Sequence, residues 1–73
     1  MTARQIIEMA LAYRNMTKTE LASKLGTSKQ IFASRMDTGK FTIEEWKAIS
    51  KAMDAKIEIV LQFEDGNKVI ITE

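Results

Sequence analysis

Residues 17–32 read Thr17-Lys18-Thr19-Glu20-Leu21-Ala22-Ser23-Lys24-Leu25-Gly26-Thr27-Ser28-Lys29-Gln30-Ile31-Phe32. Thr17 with Glu20 three positions later is a capping box, and Met16 and Leu21 flank it at the spacing of a hydrophobic staple. Gly26 ends that helix, because glycine takes the left-handed backbone that a helix terminus needs. Thr27 or Ser28 then caps a second helix, with Gln30 three residues after Thr27. Ala22 is small where the two helices must approach, and Leu21, Leu25 and Phe32 are apolar where a core needs filling. The layout is that of a helix-turn-helix, whose second helix leaves several polar side chains facing outward.

Outward from this stretch the caps continue. Thr2 and Gln5 make a possible capping box before Ala3, Ile6, Ile7, Ala10 and Leu11, which form one apolar stripe at helical spacing; this first helix fades near Arg14-Asn15. Phe32 and Met36 point inward from the third helix, taken as residues 28–37, and Thr38-Gly39-Lys40 is the loop after it. Thr42 and Glu45 cap a fourth helix, with Phe41 and Trp46 in staple positions and Trp46, Ile49 and Met53 on its inner face. The period then changes from helical to alternating: Ile57, Ile59, Leu61 and Phe63 interleave with Glu58, Val60, Gln62 and Glu64. Asp65-Gly66 reads as a two-residue hairpin turn, with Val69, Ile70 and Ile71 as the returning strand. That turn sets Leu61 opposite Ile70 and Val60 opposite Ile71. One face then shows Ile57, Ile59, Leu61, Phe63 and Ile70, and the other shows Val60, Val69 and Ile71 among polar groups.

The expected fold is therefore mostly α with a C-terminal β-hairpin: a single domain over 1–73, with a four-helix body over 2–55 and a two-stranded antiparallel extension over 56–72. Seventy-three residues are near the lower limit for a self-sufficient core. With no cysteine and no histidine, disulfides, the usual zinc ligands and the commonest general base are absent. No phosphate-cradling glycine loop is present, and the paired acids Glu44-Glu45 and Glu64-Asp65 suit a helix first turn and a hairpin tip. An enzyme is not expected, nor a cofactor, a metal or a small-molecule ligand. No apolar run reaches membrane-spanning length and the N-terminus lacks a signal-peptide layout, so a cytoplasmic protein without membrane association is expected.

Net charge is only +1, but residues 1–40 hold seven basic and three acidic residues, whereas 41–73 hold four basic and seven acidic. A polyanion is drawn to the half that carries the helix-turn-helix. Phosphate contacts are expected from the start of the second helix (Thr17, Lys18, Thr19), where the first amides lack partners, and from Arg35, Gly39 and Lys40 beyond the third. Lys24, toward the far end of its helix, reads as an ordinary solvated lysine.

The pattern Met16-Thr17-x-x-x-Leu21-Ala22-x-x-Leu25-Gly26-Thr27-Ser28, the later Gly39 and the run Ala48-Ile49-Ser50-Lys51-Ala52-Met53 resemble the lambda-repressor/Cro-like helix-turn-helix family, often called the XRE family. The resemblance covers roughly residues 3–54. It departs in two places. Many relatives carry Gln where Lys18 stands, and the segment Phe32–Gly39 is one residue longer than the commonest spacing, as in many small regulators of mobile elements in Gram-positive bacteria. The resemblance implies double-stranded DNA as partner and transcription regulation, most simply repression. It implies base reading by Ser28, Lys29, Gln30 and Ser34, with Ile31 or Ala33 available to a thymine methyl. Gln30 has the alternative of completing its own helix cap, and Ser34 that of a merely exposed small residue.

Two apolar hairpin faces call for cover, and an isolated hairpin is marginal in water. A homodimer through Val60, Val69 and Ile71 is expected, setting two recognition helices roughly 34 Å apart on a near-palindromic operator. The alternative for the hairpin is packing on its own domain. The alternative function is a protein-interaction adaptor or antitoxin-like module on the same scaffold.

Overall fold

The computed structural model describes residues 1–71; Thr72, the last residue of the expected hairpin, and Glu73 lie outside the described residues. Four helices and one hairpin follow in order: α1 Ala3–Arg14, α2 Lys18–Lys24, α3 Lys29–Thr38, α4 Ile43–Ala52, β1 Val60–Gln62 and β2 Lys68–Ile70.

Local chemistry sets the helix ends. The three capping boxes form at Thr2/Gln5, Thr17/Glu20 and Thr42/Glu45, each with both reciprocal hydrogen bonds. α3 is capped by Ser28, whose Oγ accepts the Ile31 N–H at 3.1 Å. The third residue of that helix is thus Ile31, and Gln30 takes no part in the cap. α2 closes through Gly26, at φ +75°: the Gly26 N–H donates to Ser23 O at 3.1 Å and the Thr27 N–H to Ala22 O at 3.0 Å. This paired closure satisfies carbonyls that the helix leaves open. α1 and α4 end the same way without glycine, Asn15 and Asp54 each at φ 54°.

The core is small and wholly apolar: Ile7, Leu11, Leu21, Ala22, Phe32, Met36, Ile49 and Met53. α3 packs on α1 and α2, and α2 also on α4. The aromatic staple is present, with Phe41 and Trp46 ring centroids 5.3 Å apart at 60° and Phe32 6.2 Å from Phe41. Ile6 departs from expectation. It is 42% exposed, because the buried stripe of α1 is centred on Ile7 and Leu11 and too narrow to include it.

The hairpin corrects the sequence reading twice. First, the register is one residue away from that expected: Val60 pairs with Ile70, Leu61 with Val69 and Gln62 with Lys68. The loop holds three residues, not two. The Phe63 N–H donates to Asn67 O at 2.8 Å and the Gly66 N–H to Phe63 O at 3.0 Å, so Glu64, Asp65 and Gly66 form the tip. Only Gly66 takes positive φ, at +92°. Asp65 avoids that strained region, and its carboxylate accepts the Asn67 backbone N–H and side-chain Nδ2, each at 3.0 Å. Because side chains alternate, the one-residue change moves Val69 and Ile71 to the face of Ile59, Leu61 and Phe63, while Ile70 joins Val60. Val60, Val69 and Ile71 therefore do not share a face.

Second, neither hairpin face lies on the helices. Every residue from Val60 to Ile71 is exposed, and the molecule extends 43 Å in one direction against 24 and 20 Å in the others. The segment leading in, at Ile57 and Ile59, is half-buried.

Candidate nucleic-acid interface

α3 is the element most open on its outer side. Phe32 and Met36 anchor it inward, and the helical period then turns Gln30, Ser34 and Thr38, spaced four apart, to the opposite side. Ile31, 60% exposed, lies on the flank of this ridge, whereas Ala33 is half-buried. Of the two thymine-methyl candidates, Ile31 is the one with accessible surface. The side chains of Gln30 and Ser34 make no hydrogen bond among the described residues, so their polar groups are available. Thr38 Oγ1 donates back to Arg35 O at 2.9 Å. Ser28 Oγ spends an acceptor site on its cap but keeps its O–H hydrogen to donate outward.

Ion pairing decides which cations remain free. Arg4 on α1 pairs with Asp37 on α3, its Nε donating to Asp37 Oδ1 at 3.0 Å, and also with Glu8 at 3.5 Å. Lys18 Nζ lies 3.2 Å from the same Glu8 carboxylate. Arg14 donates to the carbonyls of Met53 and Asp54 at 2.8 and 3.1 Å, holding the end of α4 to α1. Arg35, expected to face a phosphate, is held within the protein: it pairs with Glu45 at 2.5 Å, donates to Lys40 O at 3.2 Å and stands 5.3 Å over the Phe41 ring. Among the described residues, Lys24, Lys29, Lys40, Lys51, Lys56 and Lys68 have no acidic partner, and of these only Lys29 and Lys40 adjoin the outer side of α3. Lys29 and Lys40 stand at the two ends of α3, and Gly39 between helix and lysine is left-handed at φ +68°. The acids nearest the helix, Asp37 and Glu45, are each neutralised by an arginine.

The start of α2 is less favourable to an anion than the sequence suggested. Thr17 Oγ1 accepts the Glu20 N–H at 3.1 Å, and Glu20 itself brings negative charge into that first turn, beside exposed Thr19. Lys18 shares its charge with Glu8. The first turn of α3 contains no acid.

The Glu45 carboxyl is held below the usual carboxylate range, first by the Thr42 backbone N–H and then by Arg35. A depressed folded-state value means the contribution is complete above the ordinary carboxylate value of about 4.3 and lost as pH falls through the lower one. Glu45→Gln keeps a competent capping side chain but removes the charge. Its urea midpoint is expected below that of the parent near neutrality, the gap closing well under the carboxylate range. A gap that persists unchanged in acid would show that Arg35 and Glu45 contribute through packing instead.

None of the ion pairs linking distant segments had a local signal; Arg4 and Asp37 are 33 positions apart. Among the described residues there is no metal-ligating cluster, and no helix is long and apolar enough to cross a membrane. No protein-family model, curated protein or solved structure matches the chain.

Proposed function

We propose that this protein is a sequence-specific double-stranded-DNA-binding transcription regulator, with α2 and α3 acting as a helix-turn-helix of the lambda-repressor/Cro-like (XRE) kind. The observation that carries this reading is the outer side of α3. Gln30 and Ser34 form an unengaged polar ridge, unpaired Lys29 and Lys40 stand at its ends, and arginines cancel the neighbouring acids. An α-helix is about 10–12 Å across with its side chains, which a major groove roughly 12 Å wide admits, and ten residues give α3 a length of about 15 Å along it. Lysine favours guanine O6 and N7, and the Gln30 amide pairs with adenine N6 and N7. Ser28 and Ser34 add short donors, and Lys40 meets the phosphate backbone. Arg35 acts as a brace, fixing α3 to α4 through Glu45.

The hairpin is the dimerisation element, so two copies occupy half-sites about one helical turn apart. The simplest action is repression, the dimer covering an operator and excluding polymerase. Selection of bound duplexes from a random pool tests this directly. The expected result is a near-palindromic consensus with half-site centres about 10 base pairs apart, and binding that weakens steeply with salt. Failure to retain any duplex at low salt would overturn it. The exposed apolar hairpin also fits an adaptor or antitoxin-like module, for which duplex binding would be absent or independent of salt.

A further inference from the structure

We infer that the second copy adds at the outer edge of β1, antiparallel, in a register centred on Val60. This rests on the dimeric reading above and specifies it. Ile71 N–H donates to Ile59 O at 2.6 Å and Phe63 N–H to Asn67 O at 2.8 Å, so Ile59 and Phe63, which flank β1, aim backbone groups at the β2 side, as Leu61 between them does by strand alternation. Strand alternation then turns the N–H and C=O groups of Glu58, Val60 and Gln62 to the open edge. A second β1 must match these even-numbered residues with even-numbered ones.

The segment from Lys56 to Glu64, Lys-Ile-Glu-Ile-Val-Leu-Gln-Phe-Glu, has complementary chemistry when read against its own reverse. About a twofold axis at Val60, Ile59 meets Leu61 of the other copy, Ile57 meets Phe63, Glu58 meets Gln62 and Lys56 meets Glu64. Apolar side chains oppose apolar ones on one face, and on the other the one basic residue opposes an acid. A twofold at Leu61 instead sets Glu58 against Glu64 and Ile57 against Asp65. A twofold at Ile59 sets Phe63 against Ala55 and leaves Lys56 facing Gln62. At the outer edge of β2 the described residues offer Lys68 and Ile70, and a lysine there guards against pairing. The Val60 register builds a four-stranded sheet with the helical bodies outside, a self-complementary contact closed by symmetry.

Val60→Cys in the full chain tests the axis, since the protein has no cysteine of its own. Opposed residues of a hydrogen-bonded antiparallel pair have Cα atoms about 5.5 Å apart, within disulfide range. Mild oxidation is expected to convert this variant to a covalent dimer, while Ile70→Cys, on β2, stays uncrosslinked. Lys56→Glu or Glu64→Lys alone is expected to raise the dimer dissociation constant about tenfold, and the two together to return it to within about threefold of the parent. A dimer by sedimentation that crosslinks through position 70 and not 60 overturns the register while leaving the dimeric reading intact. A monomer at every concentration overturns both.

Discussion

Alanine at both Lys29 and Gln30 is expected to weaken binding to the selected duplex by about 2–6 kcal/mol, at least roughly 30-fold, while leaving thermal unfolding unchanged. The size follows from two base contacts at about 1–3 kcal/mol each. The unchanged stability follows from the structure. Both side chains are exposed, neither has a partner to strand, Ser28 and not Gln30 caps the helix, and alanine is the best helix former. Fluorescence anisotropy on the consensus and on a scrambled duplex separates two roles. If the pair reads bases, the preference for the consensus collapses. If Lys29 touches only phosphate, both duplexes weaken alike and the salt slope falls by about one. Equal affinity in variant and parent would mean that the outer side of α3 does not face DNA. Lys24→Ala, on α2, is the matched surface control and is expected to change little.

Phe32→Ala is expected to cost about 3–5 kcal/mol, enough to remove most of the stability of so small a domain. Phe32 is 3% exposed, shares the core with only seven other buried side chains and contacts the Phe41 ring, which in turn meets Trp46 and Arg35. Its loss opens a cavity where α3 is anchored, so binding disappears because the helix is no longer held. Phe32→Leu refills much of that volume and is expected to keep both fold and binding. Urea unfolding followed by circular dichroism reads the difference. An alanine variant that melts with the parent would show that α3 is held by its caps and ion pairs instead of its core.

Much of the helical body was legible because its signals are local. Thr17 with Glu20, Thr42 with Glu45 and Gly26 each report their geometry within a few residues, and the Phe41–Trp46 staple follows from the same spacing. The hairpin register was not legible: Asp65-Gly66 lies within the tip, but the loop also takes in Glu64 and only Gly66 has the positive φ that a two-residue turn would need at both positions. The competition there is between two loop lengths, and the Asp65 carboxylate favours the longer by bonding to Asn67, which lies outside the Asp65-Gly66 dipeptide. Arg35 shows a third limit. Its type and position suit a phosphate, but its partner Glu45 lies ten residues away, and such pairs leave no mark on periodicity. Of the expected DNA-contacting set, Gln30 and Ser34 are presented outward and Lys29 and Lys40 are exposed at the ends of α3, while Thr17, Lys18 and Arg35 are engaged within the fold.

The hairpin meets the helical body through one short stretch of chain, and this separates the molecule into two units of unequal robustness. The bundle closes on its own core, while the ribbon owes its shape to a handful of backbone bonds exposed to water. In the proposed dimer, assembly and ordering of the ribbon become one event, and the free energy of ordering is drawn from the union of two chains. If such a dimer is what binds paired half-sites, their occupancy rises with the square of the monomer concentration while monomer dominates, so the abundance of the protein itself would set the response.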